Sequence, residues 1–455
     1  MTTTYTNYQE IEIILSRISN ELDKELFSTN LITQTDMYNK TYIYTLSRYR
    51  NMILAEAKKH NIETKYVDLY LLNLMKKHYF PDLKKNCEKI AAIPLIEQKT
   101  PEWFKQRETM ISASDAGYFL KTCGVSRAIS SLKIKVGLKS YVNSNCPPLM
   151  HGNTYEDVSR AIYESRNSVS VTEYGIVTSP THCIGASPDG IVTDCHKDTY
   201  ECCSKYGRLL EIKNPYSREI DTTVKPEYMI QILQQQYTMQ IPVCDFVETT
   251  IVDMNCHSYT SSSKPYTTID EMLADKLDMT TNPNWEKRVK NKNIPLENLN
   301  KFGNEKGIIA WYQKKISDSD TRNKYILYPL HAKYEKDLIE KWVVDTNSGQ
   351  STEGFTLVTT KFWRLDVYSE KTVIYDQKLF ETDYIPRLKK VWDIIQTCKD
   401  MALRGYITEV ETYIDELENQ KDGPFYNENK RKKKQKVSNS DLNTYNPSNN
   451  IVLDF

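Results

Sequence analysis

The sequence predicts an α/β protein: a central mixed sheet flanked by helices, preceded by a helical N-terminal region. Three observations carry this. Apolar residues recur at helical spacing through residues 1–95. Short apolar, strand-like runs bounded by Gly and Pro crowd residues 175–252. A Gln-rich helical segment, about 226–240, separates two of those runs, and strands mixed with flanking helices indicate an α/β core.

In chain order, Tyr8, Ile11, Ile14, Leu15 and Ile18 keep helical spacing, and Leu22 with Leu26, Ile43 to Leu54 and Tyr66 to Met75 continue it. These residues, 1–95, form a helical accessory region in which no chemistry stands out. Its basic patches, Lys58-Lys59-His60 and Lys76-Lys77-His78, read first as solvated faces. Residues 96–400 hold the main domain. It begins with helices to about 165. Strands are expected at Gly175–Thr178, Gly185–Ala186, Ile191–Val192 and Leu209–Ile212, then the Gln-rich helix, then Phe246–Val252. Residues 255–305, rich in Asn, Ser and Lys, read as a polar surface insertion. Structure resumes at Ile308–Tyr312 and Tyr325–Tyr328, with a helix near 333–344. Two strands, Phe355–Tyr368 and Lys371–Tyr375, and a helix near 383–400 follow. Residues 401–420 read as an amphipathic helix, and 421–455 as a disordered tail carrying the basic run Lys430 to Lys436.

The 455 residues, 39% apolar, are enough for one large core or two smaller ones. No apolar run approaches the ~20 residues of a membrane helix, so no membrane partner is expected. The N-terminus lacks a basic segment followed by an apolar one, and ten scattered Cys give no disulfide framework. The expectation is an intracellular, non-secreted protein. The basic run leaves nuclear import, DNA affinity and simple solvation open, and with them a nuclear or viral replication site. Sixty basic residues balance sixty acidic ones, so nucleic-acid binding would have to come from local patches.

The most informative stretch is Ser187-Pro188-Asp189-Gly190, followed by Leu210-Glu211-Ile212-Lys213. Strand alternation puts Glu211 and Lys213 on one face and Ile212 on the other. Asp189, at a turn, can reach the end of a neighbouring strand. Two carboxylates and an ammonium at one point suit metal-assisted phosphodiester hydrolysis. Hard Mg²⁺ takes carboxylate oxygens, and a nearby Lys orients or helps deprotonate the attacking water. Each piece alone has a blander reading: a β-turn for Asp189, a solvated strand face for Glu211 and Lys213.

Further motifs line up in order: Trp103 to Arg107, Ile111-Ser112-Ala113-Ser114, Gly152 to Glu156 entering a helix, Glu173 to Val177 as a strand, and Tyr228 to Gln231. With these the chain resembles the YqaJ/lambda-exonuclease group of viral and phage recombination nucleases, within the PD-(D/E)xK superfamily. The likeness covers about residues 100–253, with a looser likeness to proteins of large DNA viruses beyond. It implies a restriction-endonuclease-like core and a Mg²⁺-dependent deoxyribonuclease, with Mn²⁺ able to substitute. It implies a 5′-to-3′ exonuclease on double-stranded DNA ends, leaving 3′ single strands for recombination, repair or replication. Expected partners are duplex DNA with free ends, a single-strand annealing or binding protein, and further copies of the chain.

Residue by residue, the resemblance makes Asp189 and Glu211 metal ligands, completed by the Ile212 carbonyl. Glu156 is the helix-borne acid at the metal or its water. Lys213 is the catalytic lysine and Gln231 the glutamine beside the scissile phosphate. Arg107, Ser114 and Ser187 hold the terminal 5′-phosphate, a role suited to the planar guanidinium fork. Two departures stand out. The gap from Asp189 to Glu211 is long, read as an extended hairpin; its Cys195, His196, Cys202 and Cys203 leave zinc open at irregular spacing. The second glutamine, two positions after Gln231, is Leu233 here, which leaves Gln235 a minor candidate. The alternatives are an endonuclease or RNA-active nuclease with the same site and, in another class, a catalytically silent DNA-binding scaffold.

Overall fold

A computed structural model describes residues 8–28, 40–96, 100–120, 122, 124–140, 146–220, 222–255, 266–275, 305–316, 321–420, 423–425 and 452–453. Its strands are β1 (Ile111–Ser112), β2 (Val169–Thr172), β3 (Val177–Thr178), β4 (Ile184–Ala186), β5 (Gly190–Cys195) and β6 (Leu209–Lys213). They continue with β7 (Val243–Asp253), β8 (Lys306–Lys315), β9 (Thr321–Leu327), β10 (Thr356–Ile374) and β11 (Val452–Leu453). The main sheet runs β2-β5-β6-β7-β10-β8-β9, with β11 paired to β10. β6 and β7 are parallel, and their neighbours pair antiparallel. The expected mixed α/β sheet is therefore present. A small sheet, β1-β4-β3, stands beside it.

Two helices sandwich the β6–β7 region of this sheet. Pro147–Asn167, here α1, begins with Pro at its first turn, where the missing N–H costs nothing, and ends at Ser168 in the left-handed region. Its Tyr155, Val158, Ile162 and Tyr163 pack with Leu210, Ile212, Val247 and Trp363. The Ser159 hydroxyl lies 2.6 Å from Asn214 Oδ1 and 2.7 Å from Thr249 Oγ1. Pro226–Met239, here α2, links β6 to β7 as the crossover that a parallel pair requires. It covers the opposite face, with Ile230, Ile232 and Leu233 buried among Leu209, Cys244 and Phe246.

The N-terminal helices, including Tyr8–Ser28, Ser47–Lys59, Thr64–Leu74 and Phe80–Ala91, share that same apolar core. Gly207, at φ 75°, lies so near Leu83 that a Cβ would sit 1.7 Å from its Cδ2. Only glycine fits both the backbone and the contact.

Several expected boundaries shift. Phe355–Tyr368 and Lys371–Tyr375 are one strand, β10, not two. Of the polar residues between them, Ser369 is buried and Glu370 half-buried, and both are partnered. Glu370 pairs with Lys205, and Lys371 donates to Ser369 Oγ at 2.8 Å, so they mark no turn. Glu173–Ile176 is not strand; pairing starts at Val177, opposite Ala186. β2 went unpredicted, its Ser and Thr giving a weak apolar signal. The helix near 333–344 is Lys336–Thr352. Much of 255–305 lies outside the described residues, but Tyr266 and Met272 within it are buried, so the segment is not wholly superficial. The basic run 430–436 also lies outside them. Phe425 is 1% exposed and packs 6.1 Å from Phe119, so packed chain continues past the expected tail boundary. A lone aromatic leaves no periodic pattern to detect.

Candidate active site

β5 and β6 form the hairpin expected between Asp189 and Glu211, closed by the short helix Tyr200–Cys203. Asp189 sits just before β5, its N–H donating to the Leu210 carbonyl at 3.0 Å. Its Oδ2 accepts the Ile212 N–H at 2.6 Å. The turn residue and the Glu-x-Lys strand are thus tied together by backbone. Glu211 is fully buried and accepts from Lys213 Nζ. Gln231 Nε2 donates to the same Glu211 oxygen at 2.6 Å, and Gln235 Nε2 to the other at 2.6 Å. Lys213 lies 5.3 Å from the Tyr228 ring centroid.

The charges are mutually constrained. Burial, then the charges of Glu211 and Glu156, push the Asp189 carboxyl well above the usual carboxylate range, against Lys213 and the Ile212 N–H. Burial draws the Lys213 ammonium down, but Glu211 and Asp189 outweigh it and leave it raised. Glu156, exposed on α1, therefore acts on Asp189 through its field.

The oxygen-only donor set suits a hard dication. Glu211 spends three acceptor positions on Lys213, Gln231 and Gln235, while Asp189 spends one on Ile212. A carboxylate offers about four such positions, so both retain capacity. Among the described residues no three acidic, Cys or His side chains are set closely enough to hold one ion by themselves. Of the neighbouring charges, that of Glu211 acts most strongly on Asp189.

Of the three residues expected to hold phosphate, two meet. Arg107 Nη2 donates to Ser114 Oγ at 3.0 Å and to Ser112 Oγ at 2.8 Å. It also pairs with Asp115 Oδ2 at 3.3 Å, and its guanidinium lies 4.6 Å from the Trp103 ring centroid. Arg107 Nε is buried with no hydrogen-bond partner. Ser187 Oγ donates instead to the Tyr174 carbonyl at 3.0 Å. β1 and β4 connect the two halves: Ser112 pairs with Gly185, two residues before Ser187.

Sequence reasoning missed Lys135. Its ammonium is 3.1 Å from Asp115 Oδ2, and it donates to the carbonyls of Arg107 at 3.1 Å and Met110 at 2.8 Å. Burial opposes the charged Asp115, but Lys135, Arg107 and Ser112 hold its carboxyl below the usual range. The signal existed: Lys135 shares the buried stripe of its helix with Ala128, Ile129 and Leu132. The cysteines beside the hairpin bond to backbone. Cys195 donates to the Cys202 carbonyl at 3.4 Å, and Cys202 to the Ser168 carbonyl at 3.0 Å.

Residues 102–242 match the YqaJ-like viral recombinase domain. An uncharacterized protein of Acanthamoeba polyphaga mimivirus is 29% identical over 348 residues, covering 72% of this chain and 57% of that protein. The chain thus spans less than two thirds of that relative's length. A crystal structure of an alkaline exonuclease from Laribacter hongkongensis is 26% identical, covering 33% of this chain and 74% of that one, with a TM-score of 0.26. The same enzyme in complex with dAMP is 28% identical over the same shares, also with a TM-score of 0.26. Among the described residues no helix is long and apolar enough to cross a membrane.

Proposed function

From a chain that carries a YqaJ-like viral recombinase domain over residues 102–242, we propose a Mg²⁺-dependent deoxyribonuclease that resects duplex DNA ends from 5′ to 3′. The observation that carries the reading is the union of Asp189, Glu211 and Lys213. Backbone bonding between the turn and β6 holds both carboxylates beside one ammonium. Asp189 and Glu211 would hold the metal, with the Ile212 carbonyl and with Glu156 at its water. Bound there, the ion supplies Lewis-acid charge to the phosphate.

The chain's own residues do the rest. Lys213 orients the attacking water, and Glu211 holds that ammonium in place. Gln231 faces the scissile phosphate from α2. Arg107 and Ser114 take the terminal 5′-phosphate, joined by Ser187 when its hydroxyl turns from the Tyr174 carbonyl, with Lys135 and Asp115 holding the Arg107 segment. Anchoring at that end favours exonuclease over endonuclease action, because each cut exposes a new phosphate to the same donors.

The test uses end-labelled linear duplex and covalently closed circular duplex, with Mg²⁺ and with chelator. The expected result is metal-dependent loss of mononucleotides from the linear form, starting at the 5′ end, with the closed form intact. Cleavage of closed circles or of RNA at comparable rates overturns the end-dependent reading. No cleavage of any substrate favours a binding scaffold.

A further inference from the structure

We propose that Gln235 is a positioning residue that presets Glu211 for the metal. The proposal rests on the metal-dependent reading above.

A glutamine two positions beyond Gln231 would lie about 200° around a regular helix, on its opposite face. Leu233 occupies that position and is buried in the apolar core. Gln235, four residues on, returns to the face of Gln231. The two amides therefore grip Glu211 as a pair, one on each oxygen, each at 2.6 Å. They are not equivalent. The oxygen that Gln231 holds is also held by Lys213, whereas Gln235 is the described donor to the other. Gln235 Nε2 also lies 3.5 Å from the Ser187 carbonyl, in the turn leading to Asp189. One amide thus spans β6, which bears Glu211, and the turn that leads to Asp189.

The Gln235 amide nitrogen meets two acceptors, Glu211 Oε2 and the Ser187 carbonyl. That leaves Gln235 Oε1 turned away from Glu211, buried and without a hydrogen-bond partner. Gln235 itself is fully buried.

The experiment compares wild type, Gln235→Met and Gln231→Met. Mn²⁺ binding without DNA is read by calorimetry, duplex binding in chelator by fluorescence anisotropy, and cleavage across an Mg²⁺ titration. Outer-shell partners typically contribute 10–100-fold in metal affinity. Gln235→Met is expected to weaken Mn²⁺ binding by that order and raise half-saturating Mg²⁺ in parallel, with duplex affinity within about twofold of wild type. Gln231→Met loses less metal affinity, because Lys213 still holds its oxygen. If Gln235→Met does not fold, Gln235→Asn, which keeps the amide but shortens its reach, is expected to show the same loss. Wild-type Mn²⁺ affinity in folded Gln235→Met or Gln235→Asn overturns the proposal, as does a larger metal-affinity loss in Gln231→Met. Absence of Mn²⁺ binding and of cleavage in wild type instead overturns the metal-dependent reading on which the proposal rests.

Discussion

Replacing Asp189 by Asn separates what the site does from what it costs the fold. The amide keeps an acceptor for the Ile212 N–H, which now donates at 2.6 Å, so the turn is not cut loose. What disappears is a charge in a buried place beside Glu211 and within the field of Glu156, the combination that pushes the Asp189 carboxyl up. An acid raised in the folded state opposes folding above its unfolded value of about 3.9. Without metal at neutral pH, removing it should stabilise the protein, and relief of strained functional sites commonly gives ~0.5–2 kcal/mol. At roughly 2 °C or less per kcal/mol for a chain of this size, the melting temperature should rise by about 1–4 °C. Activity should move the other way. Loss of one of two close carboxylates should raise the barrier by several kcal/mol, about 10²–10⁴-fold in rate. Differential scanning fluorimetry in chelator and in Mg²⁺, beside a single-turnover duplex assay, reads both effects. The stability gain should shrink or reverse in Mg²⁺, which rewards the native carboxylate. A variant destabilised in chelator, or one that cleaves like wild type, would refute the reasoning.

Three further outcomes are expected. Chelation should abolish cleavage and Mg²⁺ or Mn²⁺ restore it, with Ca²⁺ supporting binding but little turnover, as a titration of end-labelled duplex will show. Wild type should prefer 5′-phosphorylated over 5′-hydroxyl ends, and Arg107→Ala should erase most of that preference while leaving Mn²⁺ binding intact; equal rates on both ends in wild type would contradict the anchor. Arg208→Met should cost about 3 kcal/mol in urea unfolding, because it strips a buried guanidinium from Asp245 Oδ1, 2.9 Å away, while Lys205 remains. Burial opposes the charged Asp245, but Arg208 and Lys205 hold its carboxyl below the usual range, so its contribution persists above about pH 4 and is lost on acidification through the folded value. The variant should therefore acid-unfold at higher pH, and an unchanged acid midpoint would exclude that linkage.

What could be read in advance divides by the range of the interaction. Strands such as β6 and β7 announce themselves because their apolar content is local. The Asp189 turn and the Glu211-x-Lys213 alternation are equally local, and the backbone bonds between them follow once β5 and β6 pair. The misreadings concern polar residues whose burial is licensed by partners far away in sequence. Ser369-Glu370 looked like a break because nothing nearby reveals that Lys205 meets Glu370 from 165 residues upstream. Lys135 went unnoticed because its partners, Asp115 and the Arg107 carbonyl, belong to earlier helices. Gln235 was overshadowed by an expected spacing that a regular helix turns away from Glu211.

The same range argument changes how residues 1–95 bear on the site. Their described residues touch the elements that bear the candidate site. Arg208, immediately before β6, donates to the Thr45 carbonyl at 2.6 Å while gripping Asp245 on β7. Asn86 donates to the Met239 carbonyl at 2.8 Å, at the C-terminal end of α2. The helical region thus bonds at the base of the strand bearing Glu211 and Lys213, and at the end of the helix bearing Gln231 and Gln235. Tilting α2 by a fraction of an ångström would move both amides against Glu211 together, because packed interiors transmit displacement instead of absorbing it. The N-terminal helices are in this sense a brace for the site's geometry, built from side chains that a motif search passes over.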